Sequence, residues 1–158
     1  MTTGTVEAIY IATHQGEPTF PVEQIRAVPG MGLEDDRYYG RKDIPSSYPN
    51  PAREVTLIEM EAIEAMQRVD GINISPMQTR RNITTRGISL NDLVNSLFFI
   101  GDVQLKGVRL CEPCQYLADR TDPRLLNSMS HRGGLRAEII TEGIIRIHDI
   151  ITTTQESI

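Results

Sequence analysis

Phe98-Phe99-Ile100-Gly101-Asp102-Val103-Gln104-Leu105-Lys106-Gly107-Val108-Arg109-Leu110 reads as two strands joined by a tight turn. Gly101-Asp102 supplies the turn chemistry. From Val103 to Leu110, Val and Leu alternate with Gln, Lys and Arg, the period-two signature of a half-buried strand. The strand runs directly into Cys111-Glu112-Pro113-Cys114, which holds the only two cysteines of the chain.

Working outward, the same reading repeats. Val6 to Ala12, Ile25 to Val28 and Glu54 to Ile58 are short apolar runs that predict strands. Ala137 to Ile140, Ile144 to Ile147 and Ile150 to Thr154 are β-branched runs split by Glu142-Gly143 and His148-Asp149. They predict a closing set of antiparallel strands. The clearest helix covers Glu59 to Val69, with Ile58, Ala62, Ala65, Met66 and Val69 on one face and Gly71 as its stop. A short helix is expected from Ser89, turning Leu90, Leu93 and Val94 inward, and another from Pro123 to Met129. Met31 to Pro51, rich in Gly, Pro, Tyr and charge, is expected to be a long irregular loop. Seven or eight short strands without βαβ alternation point to a mainly β fold. The expected architecture is a mostly antiparallel barrel with two or three short peripheral helices.

The 158 residues are expected to form one domain, with its core from about residue 6 to 150. Hydrophobic content of 39% and charged content of 23% fit a globular chain. The formal net charge of −5, without a basic block, argues against nucleic acid as a partner. No apolar run approaches the length of a membrane span, so no membrane association is expected. The start of the chain lacks a signal-peptide pattern, and two cysteines three apart do not build a secreted disulfide framework. A cytoplasmic, reducing compartment is the simplest expectation.

Cys-x-x-Cys carries three chemistries. A zinc site needs two further ligands, and His14, His131 and His148 are scattered. A redox pair belongs at a helix start in an α/β fold. The third is a single metal-ligating or sulfur-carrying thiolate. Two small buried hydrophobes would satisfy the same letters. Nearby cations favour a thiolate. Arg80, Arg81, Arg86 and Arg109 supply them, with Arg132 and Arg136 in reserve. Arg80-Arg81-Asn82-Ile83-Thr84-Thr85-Arg86-Gly87 concentrates donors suited to phosphate or carboxylate oxygens. Earlier, Glu34-Asp35-Asp36-Arg37 offers oxygen ligands for a hard cation, or places Asp36 to orient a basic group.

Taken in order, these segments resemble the MOSC domain, named for the C-terminal domain of molybdenum cofactor sulfurase. The matching residues are Gly32-Leu33-Glu34-Asp35-Asp36-Arg37, Arg80 to Gly87, Ile100-Gly101-Asp102 and Cys111 to Cys114. Asp35 departs from the pattern, where the family usually has Gly. The resemblance implies a β-barrel and molybdenum cofactor (molybdopterin) as ligand. It implies Cys114 as the catalytic and metal-ligating thiol. It implies a pterin and phosphate cradle drawn from Arg80, Arg81, Asn82, Thr84, Thr85, Arg86, Asp36 and Arg37. The implied activity is cofactor handling or sulfuration, or reduction of N-hydroxylated compounds with a separate protein electron donor. Alternatives are a sulfur carrier with a persulfide on Cys114, fed by a sulfur donor, and a binding module for a small anionic ligand.

Overall fold

A computed structural model describes residues 3–40, 53–112 and 115–153. Eleven strands, three short α-helices and two 3₁₀ turns follow one another along these residues. The strands are β1 (Thr3–Ile11), β2 (Phe20–Val22), β3 (Gln24–Val28), β4 (Gly32–Leu33), β5 (Val55–Glu59), β6 (Ile83–Arg86), β7 (Leu97–Ile100), β8 (Val103–Leu110), β9 (Leu135–Ile139), β10 (Gly143–Arg146) and β11 (Ile150–Thr153). The helices are α1 (Met60–Arg68), α2 (Gln115–Arg120) and α3 (Leu125–Ser128).

Seven strands close a barrel in the order β11-β7-β8-β9-β5-β6-β1, with β1 pairing back onto β11. Six of the seven seams are antiparallel, and β5–β6 is the parallel one. The expected mainly β barrel with peripheral helices is therefore present. β2 extends the sheet beyond β1, and β10, β3 and β4 form a separate small sheet. The last three strands are each antiparallel, as read, but not to one another. β9 joins β8 and β5, β10 joins β3, and β11 joins β1 and β7.

The register of β1 explains its burial. Gly4 and Val6 face inward, then the pairing with β6 slips between Val6 and Ala8, and Ile9 and Ile11 face inward instead. A bulge of this kind inverts which alternate residues meet the core. Val6, Ile9, Leu57, Ile83, Phe98, Leu105, Leu135 and Ile151 belong to the barrel core and are fully buried.

Outside the barrel, a second core joins α1 to α2 and α3. It holds Ile58, Ile63, Met66, Ile72, Ile74, Leu117, Leu125 and Met129. The buried face of α1 is Ala62, Ile63 and Met66, whereas Val69, expected on that face, is 71% exposed. The chain leaves the helix at Val69 and turns through Gly71 at φ +69°. The segment from Ser89 is a 3₁₀ turn, Leu90–Leu93, rather than a helix, although Leu90 and Leu93 do turn inward. Of the expected loop from Met31 to Pro51, residues 41–51 lie outside the described residues, and Gly32–Leu33 within it form β4.

Candidate functional site

The segment before β6 decides the geometry of one end of the barrel. Arg80 adopts a left-handed conformation, φ +63°, so the chain turns sharply as it leaves the 3₁₀ turn Met77–Thr79. Arg81 and Asn82 then point into the protein. Arg81 is 8% exposed and donates from Nε to the Gly133 carbonyl at 2.8 Å, and from Nη1 to the Thr79 carbonyl at 3.2 Å. Its Nη2 donates to the carbonyls of Cys111, at 3.1 Å, and Glu112, at 3.4 Å. Asn82 uses its amide oxygen to accept from the Thr56 N–H and hydroxyl, and its amide nitrogen to donate to the Tyr10 carbonyl. That bonding staples the starts of β5 and β6 to the end of β1.

Arg37 approaches from the turn after β4. It is buried, pairs with Asp36 at 3.1 Å, donates to the Arg80 carbonyl and lies 4.7 Å from the Tyr38 ring centroid. Asp36 also accepts from the Ala12 N–H. The expectation that Asp36 orients a basic group thus has a partner in place. Asp35 reaches its position at φ +70°, a conformation that glycine adopts more freely.

These residues surround a cavity of about 510 Å³. Arg37, Arg80, Arg81 and Arg136 all contribute to its walls, with Cys111 and Tyr38 among the others. Four guanidinium groups around one hollow, with Arg37 countered by Asp36 and the donors of Arg81 largely turned to protein carbonyls, leave a site of net positive charge suited to phosphate or carboxylate oxygens. Arg80 also reaches the Glu17 carbonyl at 2.7 Å and lines an adjoining hollow of about 300 Å³ with Met77 and Thr19. Asp36 and Arg37 also line a second hollow of about 670 Å³, together with Glu34, Asp35 and His14, in which the acids outnumber the arginine. Among the described residues, no group of three or more His, Cys, Asp and Glu is arranged to hold a metal ion.

The remaining sequence candidates are distributed as follows. Cys114 lies outside the described residues. Cys111 is 1% exposed, with a free thiol. Asn82, Thr84, Thr85, Arg86 and Asp36 do not line the arginine cavity. Thr84 and Thr85 are fully buried in the barrel wall. Arg86 lies on the outer surface, paired with Glu64 at 2.7 Å and Glu7 at 3.5 Å. Its guanidinium holds the Glu64 carboxyl below its ordinary pKa. Arg132 pairs with Asp70 at 2.5 Å instead of joining the cavity, and His131 lies on the surface against Glu112. Tyr38, Thr56, Gln15 and Gly16 line the cavity without having been singled out in the sequence. Only the position of Tyr38 beside Arg37 was a usable signal.

No curated protein matches the chain in sequence. Among solved structures, the YuaD protein from Bacillus subtilis superimposes with a TM-score of 0.81, at 17% identity, over 97% of each chain. YiiM from Geobacillus stearothermophilus gives 0.74 at 13% identity, over 96% of this chain and 75% of that one. YiiM from Escherichia coli gives 0.67 at 16% identity, over 99% and 72%. At such identities the likeness concerns the fold. The family model of the MOSC domain matches residues 43–152, which span β5 to β11 and carry three of the four cavity arginines together with both cysteines; the chain belongs to the MOSC domain family.

Proposed function

We propose that this protein binds molybdenum cofactor in the arginine-lined cavity and ligates the metal through Cys114. The observation that carries this reading is the convergence of Arg37, Arg80, Arg81 and Arg136 on a cavity that Cys111 also lines. The donor set fits the group. A space of about 510 Å³ lies within the usual range for small-molecule pockets, and guanidinium forks complement a phosphate. A thiolate three residues beyond Cys111 is a strongly electron-donating ligand for such a metal centre. When bound, the cofactor supplies the redox or sulfur chemistry.

In this reading the protein binds and orients. Arg80 and Arg37 hold the anionic end, with Arg37 steadied by Asp36 and the Tyr38 ring. Arg81 lines the cavity, and Asn82 braces β1, β5 and β6 against one another. Two cysteines are too few for a ferredoxin-type cluster within these residues, and under this proposal a cytoplasmic protein partner supplies the electrons or sulfur. Residues 1–158 act as a single domain. Whether the cofactor is handled or used catalytically follows from what that partner delivers.

The test is metal and pterin analysis of protein made in a host that synthesises molybdenum cofactor. Near-stoichiometric molybdenum and pterin are expected in the wild type. Cys114→Ala is expected to lose molybdenum; pterin affinity left intact in that variant but destroyed in Arg80→Ala would favour a binding module without turnover. Wild-type protein free of both would overturn the reading. A persulfide on Cys114 in the intact mass of that same metal-free sample would assign the chain to sulfur transfer instead.

A further inference from the structure

Arg80 belongs to two hollows at once. It lines the cavity of about 510 Å³ and, with Gly16, also the smaller hollow of about 300 Å³ that adjoins it. The other walls of the smaller hollow are Pro18, Thr19, Met77, Gln78 and Thr121. Among these described residues Arg80 is the one ionised side chain, and no carboxylate is present to neutralise it.

Hydrogen bonds tie the walls together. The Thr19 hydroxyl donates to the Met77 carbonyl at 2.9 Å, and Arg80 donates from Nη1 to the Glu17 carbonyl at 2.7 Å. These two bonds join the loop between β1 and β2 to the 3₁₀ turn Met77–Thr79. Thr121, just past α2, donates to the Leu117 carbonyl at 2.7 Å. From the side of the larger cavity, Arg37 donates to the Arg80 carbonyl. Little ordering of these walls is left for a ligand to impose. Both threonine hydroxyl protons are spent on main-chain carbonyls, so the charged donor of the hollow is Arg80.

The rest of the lining suits a flat apolar group. Met77 is 41% exposed, an unbranched thioether that adapts to an aromatic ring and gains from sulfur–ring contact. Pro18 adds a second apolar surface. An apolar cavity of about 150 Å³ holds a benzene ring, so about 300 Å³ admits a ring with its substituent.

We propose that this hollow binds small aromatic acids, with the ring against Met77 and Pro18 and the carboxylate or phosphate at Arg80, on the boundary with the larger cavity. An acid held there stands where a substrate would lie beside a ligand of the larger cavity. The proposal goes beyond the cofactor reading and does not depend on it, since it needs only the hollow and the Arg80 charge.

The experiment titrates metal-free protein, in buffer without phosphate, with para-fluorobenzoate and with para-fluorophenyl phosphate. Fluorine NMR of the ligand gives the affinity. Isotope-labelled methyl signals of the six methionines give the location, with Met77 assigned through Met77→Leu. Saturable binding is expected, with the Met77 methyl shifted most, and the tighter of the two acids identifies the preferred anion. para-Fluorobenzyl alcohol, which keeps the ring without the charge, should bind about tenfold more weakly or worse. Acetate, which keeps the charge without the ring, should fail to displace para-fluorobenzoate at equal concentration. Arg80→Ala should weaken the acids by a similar factor, and Arg80→Lys should recover part of the loss. A Met77 methyl unmoved at high concentrations of both acids would overturn the proposal, and so would an alcohol that binds as tightly as the acids. Both of those outcomes are read on the unaltered sequence, so neither depends on a variant folding. Absence of molybdenum and pterin from protein made in a competent host would remove the cofactor reading and leave this result unchanged.

Discussion

Asn82 is held from three sides, by Thr56 twice and by Tyr10 once, with its side chain inside the protein. Asn82→Ala would leave the Thr56 N–H and the Tyr10 carbonyl short of partners. A loss of about 3 kcal/mol is expected, given the cost of unsatisfied buried polar groups, and urea denaturation measures it. Glu54 provides a second residue-scale prediction. It is 5% exposed, and burial pushes its carboxyl up to about 7, although the Ile139 N–H donates to it at 3.0 Å. A raised carboxyl pKa means the folded state holds a proton that the unfolded state has released. Its contribution is therefore present below the ordinary carboxyl pKa and is lost as pH rises through about 7. The swing is on the order of 3 kcal/mol. Glu54→Gln should raise the melting temperature at pH 8 and flatten its decline across that range. At this scale the sequence was half legible. Residue type marked Arg80 and Arg37 as cavity arginines, because charge and donor number are properties of the side chain. It could not distinguish a side chain bonded to protein carbonyls, as Arg81 and Asn82 are, from one whose donors open into the cavity. That distinction depends on which carbonyls lie within reach, and those come from Gly133, Thr79, Cys111 and Tyr10, distant in sequence from one another.

Among the elements, α1 shows how a correct helix can carry a wrong face. The spacing from Ile58 to Val69 predicted the helix, and the helix is there, but Ile63 rather than Val69 packs into the second core. Val69 is the C-terminal cap, where the helical path ends, and it points into solvent. Ile63→Ala should cost about 2–5 kcal/mol. Amide exchange should loosen first in α1, α2 and α3, with the barrel strands still protected. Strands were easier to read than helices because most are short, β-branched and interrupted by turn residues. β2 was missed because Phe20-Pro21-Val22 contains a proline, which the sheet tolerates only at its edge. α2 was missed because six residues are too few for a periodic signal, although Leu117 and Ala118 are buried.

At the scale of the whole molecule, charge is divided unevenly. The chain carries a net charge of −5, yet one cavity gathers four arginines while the neighbouring hollow is acidic. Inorganic phosphate should bind at the cavity in spite of the overall charge. Its affinity should fall as sodium chloride is raised, because the cavity opens to solvent and its charges are screened. Titration calorimetry at two ionic strengths measures this, and Arg80→Ala should weaken binding and reduce the salt dependence. The barrel as a class was legible from the strand count. Its pairing order was not, since neither the parallel β5–β6 seam nor the separate partners of the last three strands leaves a local trace.

The seam between β1 and β11 joins Thr3 to Thr152, nearly opposite ends of the described chain. β1 precedes both of its barrel partners in the chain; β2 covers its edge at Ile9–Ile11, while the edge at Thr3–Thr5 waits for β11. Contacts separated by so much sequence form slowly, because the loop they close must be ordered first. An open strand edge is also where chains pair with the wrong neighbour. Ring closure is therefore expected to be a late step of folding, with the open edge exposed to aggregation until then. A circular permutant that links the two ends and opens at the Gly101-Asp102 turn would make that seam local, and should refold faster than the natural order.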